Sequence, residues 1–176
     1  MAFTGPIRLH TVSCDIVFFS EAVANELYID GWEGDEKAFF FEFSMPSDGT
    51  TGFNADMPAL WMLNAEIPRT LQYGKPECSC WTSGCGEFDI FEILNPGNNR
   101  AKCTFHGNKR GGSSDYFKRP TDGTMKLAVI MKSGDISIEV LNDDTEFGST
   151  ISEDLVEKVR AIDSYDGPYS EFALGH

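Results

Sequence analysis

Hydrophobic positions along this chain fall in short, closely spaced blocks. Stretches 7–12, 15–19, 38–43, 59–63, 88–94, 102–105, 125–131 and 136–141 are rich in β-branched and aromatic residues, the composition of strands. Turn chemistry separates them: Ser47-Asp-Gly-Thr, Asn95-Pro-Gly-Asn, Asp122-Gly-Thr and Ser133-Gly-Asp, where Gly, Asn, Asp and Pro supply the backbone angles a reversal needs. The last joins its two blocks closely enough to predict a hairpin. Many short strands punctuated in this way predict an all-β antiparallel sandwich or jelly roll. One amphipathic stretch interrupts the pattern near the end. Ser152 stands where an N-cap would, Glu153 and Asp154 fill the first turn, and Leu155, Val159 and Ile162 share a stripe, which predicts a helix over 153–162. A weaker helical pattern covers 20–27, and both helices read as packing elements.

Within the strand at 88–94, polar and apolar positions break step. Glu87 and Asp89 alternate with Phe88 and Ile90, but a strict period of two sends Glu92 to the apolar side. One extra residue at Ile90-Phe91, a β-bulge, returns Glu92 to the side of the other two acids. The two Glu Cα atoms are then about four rises apart, roughly 13 Å, and their long side chains can lean toward Asp89. A carboxyl gap of about 5–5.5 Å, the spacing of retaining glycosidases, fits this layout. Such a trio supplies an ionised nucleophile and a protonated acid, with like-charge crowding pushing their pKa values apart. An ordinary acidic strand face is the alternative, in a chain with 28 Asp and Glu among 176 residues. Like charges adjacent on a strand are mildly destabilising, so the neighbouring segments must decide.

Charge narrows the partners. The chain carries a net −14 with pI near 4.5, against the basic footprint that nucleic acid or anionic lipid demands. No apolar run reaches the roughly 18 residues needed to cross a bilayer. The excess is uneven: residues 1–98 are net −11, 99–134 net +6 and 135–176 net −9, which most simply reads as solvated surface. Cys14, Cys78, Cys80, Cys85 and Cys103 are odd in number, so at least one is unpaired within this chain. Cys78-Ser-Cys80 has the wrong spacing for a zinc pair, and only His10, His106 and His176 could complete one. Disulfides clamping the 78–85 loop suit the pattern better and imply an oxidising compartment. A Cys80–Cys85 bridge, or one from Cys78 or Cys80 to Cys103, is open to the same spacing. No Cys/His/Asn arrangement suggests a cysteine nucleophile.

The neighbouring segments carry a resemblance. Glu87-Phe-Asp-Ile-Phe-Glu92 matches the bulged Glu-x-Asp-x-x-Glu signature of family 16 glycoside hydrolases, and Met57-Pro-Ala-Leu-Trp-Met-Leu63 resembles the strand that precedes it there, with Met57 at a usual Trp. The run from Phe53 through Tyr73, then Cys78-Ser-Cys-Trp-Thr-Ser-Gly-Cys-Gly86 and Thr104-Phe-His-Gly107, is similar to a narrower group, the fungal cell-wall family typified by the target-of-SBF protein. Members of that group extend further on the amino side, so residues 1–176 are expected to be a single domain shortened at its amino end.

The resemblance implies a concanavalin-like β-jelly roll of two curved antiparallel sheets with a short C-terminal helix. It also implies Glu87 as nucleophile, Asp89 as the group that orients it and tunes its protonation, and Glu92 as general acid/base. Trp61 and Trp81 suit sugar stacking, and His106 suits a bond to a hydroxyl or to the nucleophile. The activity expected is a retaining glycoside hydrolase or transglycosylase on cell-wall β-glucan, most simply β-1,3-linked, from a secreted, monomeric protein. No cofactor or metal is expected. The alternative is a non-catalytic structural or glucan-binding protein on the same fold.

Overall fold

The structure is a computed structural model that describes residues 8–11, 36–63, 87–106, 110–112, 116–148, 150, 152–161 and 168–173. In chain order the strands are β1 (Arg8–Thr11), β2 (Lys37–Phe43), β3 (Ala59–Leu63), β4 (Glu87–Ile93), β5 (Arg100–His106), β6 (Arg110–Gly112), β7 (Phe117–Lys118), β8 (Met125–Lys132), β9 (Asp135–Leu141) and β10 (Tyr169–Ala173), with helix α1 (Glu153–Arg160) before β10. One antiparallel sheet runs β1-β2-β8-β9-β10 and the other β3-β4-β5-β6, with β7 paired to β5. The described residues are all-β with one short helix, as the hydrophobic pattern predicts for them. The expected strand at 15–19 and helix at 20–27 lie outside the described residues.

Face-to-face packing follows from alternation. Phe39, Phe41, Phe43, Leu127, Val129, Ile136, Ile138 and Phe172 from the sheet that holds β2 meet Phe88, Ile90, Phe91, Ile93, Ala101, Cys103 and Phe117 from the sheet that holds β4. Burying one such Phe or Ile stabilises the fold by ~1.5–3 kcal/mol. The Phe43 and Phe91 rings meet edge to face at 5.3 Å between centroids, a favoured aromatic geometry. The outer face of the sheet that holds β2 is covered as well. Phe40, Ala128, Ile130 and Leu141 pack under Val159 of α1, with Phe147, Leu155 and Val156 around them. Coverage on both faces explains why Phe39-Phe40-Phe41 is a continuous apolar run.

Helix α1 is bounded by its capping chemistry. The Ser152 hydroxyl accepts from the Leu155 amide at 3.2 Å, and two acids occupy the positive first turn while Lys158 and Arg160 occupy the negative last one. It stops at Arg160, two residues short of the predicted end, with the Ala161 amide closing onto Glu157 and Lys158 carbonyls. The β8–β9 hairpin turns on Ser133 and Gly134, both at positive φ (56° and 83°), as a two-residue primed turn requires.

A buried ion pair ties the loops at one end of the sheet that holds β4. Arg119 is 1% exposed, and its guanidinium donates to the carbonyls of Met45 (2.7 Å), Pro46 (2.9 Å), Asn98 (3.3 Å) and Asp56 (3.4 Å) and to the Asp56 carboxylate. These account for every N–H the side chain owns. The Ser47 hydroxyl donates to the other Asp56 oxygen at 2.6 Å. Asp56 is accordingly held below the usual carboxylate range, by the Arg119 bond first and the Ser47 bond next, against the effect of burial. The hub sits where β3 begins and β4 ends, with the Ile93 amide bonded to Pro58 O at 3.1 Å.

Candidate active site

The bulge that the spacing of the acids calls for is present in β4. Against β3, Phe91 pairs with Leu60 and Asp89 with Trp61; against β5, Glu92 pairs with Lys102 and Asp89 with Thr104. Ile90 has no register partner on either neighbour, so Ile90 and Phe91 share the space of one residue. Phe88, Ile90, Phe91 and Ile93 therefore all enter the core, and Glu87, Asp89 and Glu92 share the opposite face.

Register then composes that face in three rows. Glu87 and His106 form one, Trp61, Asp89 and Thr104 the next, and Ala59, Glu92 and Lys102 the third. His106 Nε2 lies 3.1 Å from Asp89 Oδ2 and 3.9 Å from Glu87 Oε1. Ligand atoms of Glu87, Asp89 and His106 all fall within 4.8 Å of one another, the one group among the described residues with a spacing that a cation could bridge. Glu87 and Asp89 are 4% and 5% exposed, while Glu92 is half-buried.

Burial and crowding separate the acids electrostatically. Asp89 is pushed up to about 8, by burial first and by the charges of Glu92 and Glu87 after it. Glu92 is raised by burial and by Glu87. At neutral pH Asp89 thus holds its proton and can donate a hydrogen bond as an acid. Proton-bearing and ionisable carboxyls on one strand face are the equipment of acid/base chemistry on an acetal.

Trp61 stands on the acid face directly across from Asp89, 42% exposed, so it is not a core tryptophan. His106 contacts the acids themselves. Trp81 and Cys14, Cys78, Cys80 and Cys85 lie outside the described residues. Cys103 is buried in β5, its Sγ donating to Ile90 O at 2.8 Å.

Lys102 and Thr104 on the acid face belong to no motif in the sequence, although period two along Arg100–His106 places residues 100, 102, 104 and 106 together. Tyr116, 46% exposed, lies against the same edge, with Arg100 Cζ 4.1 Å and Lys102 Nζ 4.8 Å from its ring centroid. Part of the basic middle segment is therefore gathered beside the acids.

Residues 12–159 match the family described as "Cell wall protein YJL171C/Tos1, C-terminal". Among curated proteins, the chain is 53% identical over 129 residues to "Probable circularly permuted 1,3-beta-glucanase TOS1" of Saccharomyces cerevisiae, covering 73% of this chain and 28% of that protein. It is 51% identical over 136 residues to the Candida albicans protein of the same name, covering 72% and 29%. It is 44% identical over 154 residues to "Probable circularly permuted 1,3-beta-glucanase" of Arthroderma benhamiae, covering 82% and 34%. The chain thus spans about a third or less of the length of these relatives. No solved structure matches it significantly.

Proposed function

Since the chain belongs to the YJL171C/Tos1 C-terminal family of cell wall proteins, we propose that it carries the carboxylates of a glycoside hydrolase or transglycosylase acting with retention on β-1,3-glucan. The observation that supports this reading most directly is the bulge of β4, which gathers Glu87, Asp89 and Glu92 on one face beside His106. The names of the relatives supply the glucan and its linkage.

In this reading Glu87 attacks the anomeric carbon and Glu92 delivers its proton to the leaving glycosidic oxygen. Departure of that oxygen leaves a glycosyl ester on Glu87. Glu92, now ionised, takes a proton from an incoming water or sugar hydroxyl, whose oxygen displaces Glu87 and restores the β-configuration. The raised pKa of Glu92 suits a group that must begin protonated. Asp89, protonated below about 8, donates toward its neighbours and limits charge repulsion along the strand. Water as acceptor gives hydrolysis and a glucan end gives transfer. Trp61 offers a flat apolar surface to the C–H face of a pyranose ring.

The test is incubation of the full-length protein and its Glu87→Gln variant with β-1,3-gluco-oligosaccharides. Wild type is expected to release or transfer glucose units with retained configuration, and Glu87→Gln to lose at least about 10³-fold, within the range such groups supply. Binding to insoluble glucan with no product from folded wild type overturns catalysis in favour of a glucan-binding role.

A further inference from the structure

The bulge is the feature on which the acid face depends, and its own bonding is unusual. A bulged residue leaves the ladder locally disrupted, so its backbone groups need partners from elsewhere. Ile90 has no register partner on β3 or β5. Its carbonyl accepts instead from the thiol of Cys103 at 2.8 Å, in a core where Ile90 is 1% and Cys103 0% exposed. The contact is across the strand pair: Cys103 lies between Lys102 and Thr104, the partners of Glu92 and Asp89. It therefore faces the point where the register steps by one residue.

We propose that the Cys103 thiol is a positioning group for the acid trio, holding the Ile90 carbonyl in the bulge and thereby fixing Glu92 on the face of Glu87 and Asp89. This rests on the reading of those acids as catalytic, but the geometric role is separable from it. Without the donor, the Ile90 carbonyl is a buried acceptor short of a bond, and the cheapest remedy is for it to rotate back toward β5. That motion carries Phe91 toward the acid face and swings Glu92 away from it, because a one-residue slip reverses side-chain direction. Cys103 itself touches no substrate, since its side chain points into the core with Ala101 and Phe117. Its burial also keeps this thiol away from solvent oxidants.

Two substitutions separate the donor from the packing. Cys103→Val keeps an apolar side chain of similar size and removes the donor; Cys103→Ser keeps a donor on a smaller side chain. In the full-length protein, Cys103→Val is expected to lower kcat at least about tenfold with KM within about twofold, because misplacing an acid by an ångström costs rate rather than affinity. Cys103→Ser is expected to stay within about threefold of wild type. The readout independent of turnover is the carboxyl titration of Glu92 by NMR, which is expected to fall toward the ordinary Glu value in Cys103→Val and to stay raised in Cys103→Ser. Infrared spectra of the unsubstituted protein supply a check that needs no folded Val variant: a hydrogen-bonded, low-frequency S–H band that disappears in Cys103→Ser. An unshifted Glu92 titration in folded Cys103→Val, equal loss in both variants, or absence of the shifted S–H band overturns the proposal. Inactive wild type with the Glu92 titration behaving as expected overturns the glycosidase reading and leaves the positioning role standing.

Discussion

His106 Nε2 sits 3.1 Å from Asp89 Oδ2, closer than its 3.9 Å approach to Glu87 Oε1. The imidazole thus engages the middle acid of the three, from the strand next to it. Asp89 is protonated below about 8 and has one proton to place. A bond from His106 to Oδ2 fixes which oxygen carries that proton and so which neighbour receives it.

If His106 acts through Asp89, the two substitutions must not add. His106→Ala is expected to lower kcat by about 10–100-fold, the scale of rate loss when a reacting group is misplaced by about an ångström. Asp89→Asn is expected to cost a similar amount, and the double variant little more than either alone. Steady-state kinetics of the four proteins give the coupling directly. Additive losses contradict the relay and leave His106 as an independent contact to sugar.

Stability should fall as pH rises from about 4 to about 8. Asp89 moves from 3.8 to about 8 and Glu139 from 4.5 to about 7, and Glu92 is raised as well. An acid whose folded pKa is raised keeps a proton that the unfolded chain releases. Its contribution is complete below the unfolded value and lost as pH climbs through the folded one. Glu139 is 1% exposed on β9, with no hydrogen-bond partner for Oε1 among the described residues; burial raises it and the charge of Lys158 only partly opposes this. Glu139→Gln should therefore flatten the slope between 4.5 and about 7, a change on the order of 1–3 kcal/mol. Thermal melts from pH 4 to pH 8 check both statements. Asp56 works in the opposite sense at the acid end: its pKa is lowered from 3.8, so its contribution is present above 3.8 and lost as pH falls through the folded value.

The Arg119 hub predicts a cost that charge conservation does not remove. Arg119→Met leaves the Asp56 carboxylate buried without its cation and the Met45 and Pro46 carbonyls without donors. Breaking a buried pair from one side costs ~3–5 kcal/mol. Arg119→Lys should recover only a minor part, because an ammonium has three donors on a point charge and cannot span Met45, Pro46, Asn98 and Asp56 at once. Urea unfolding of both variants measures this. A Lys variant as stable as wild type would mean that charge alone is the hub's contribution.

Alternation made most of the sheet legible in advance. The apolar blocks at 38–43, 59–63, 125–131 and 136–141 coincide with β2, β3, β8 and β9 to within one residue at either end. The missed strands are β6 and β7, of three and two residues, and β10. Too short for a period, β6 and β7 are held by pairing to β5, a tertiary effect that local sequence does not encode. Their chemistry was hidden for the same reason. Nothing beside Arg119 in sequence announces Asp56, 63 positions away. The bulge was legible because Glu92 is out of step with an apolar partner face. Its thiol partner was not, since Cys103 reads equally well as one half of a disulfide.

Trp61 supplies the last prediction, and it divides affinity from stability. The indole lies across the strand from Asp89 and is 42% exposed, so truncation creates little cavity. Trp61→Ala should therefore cost under about 1 kcal/mol of fold stability, against the ~3–5 kcal/mol typical of a core tryptophan. Loss of the apolar platform should appear instead in glucan affinity, as a KM or Kd raised by about 10-fold, the equivalent of ~1.4 kcal/mol. Trp61→Phe retains a ring face and should recover much of that loss. Isothermal titration with β-1,3-gluco-oligosaccharides, run beside urea unfolding of the same variants, separates the two effects. A large loss of stability with unchanged affinity would place Trp61 in support of β3 rather than in contact with sugar.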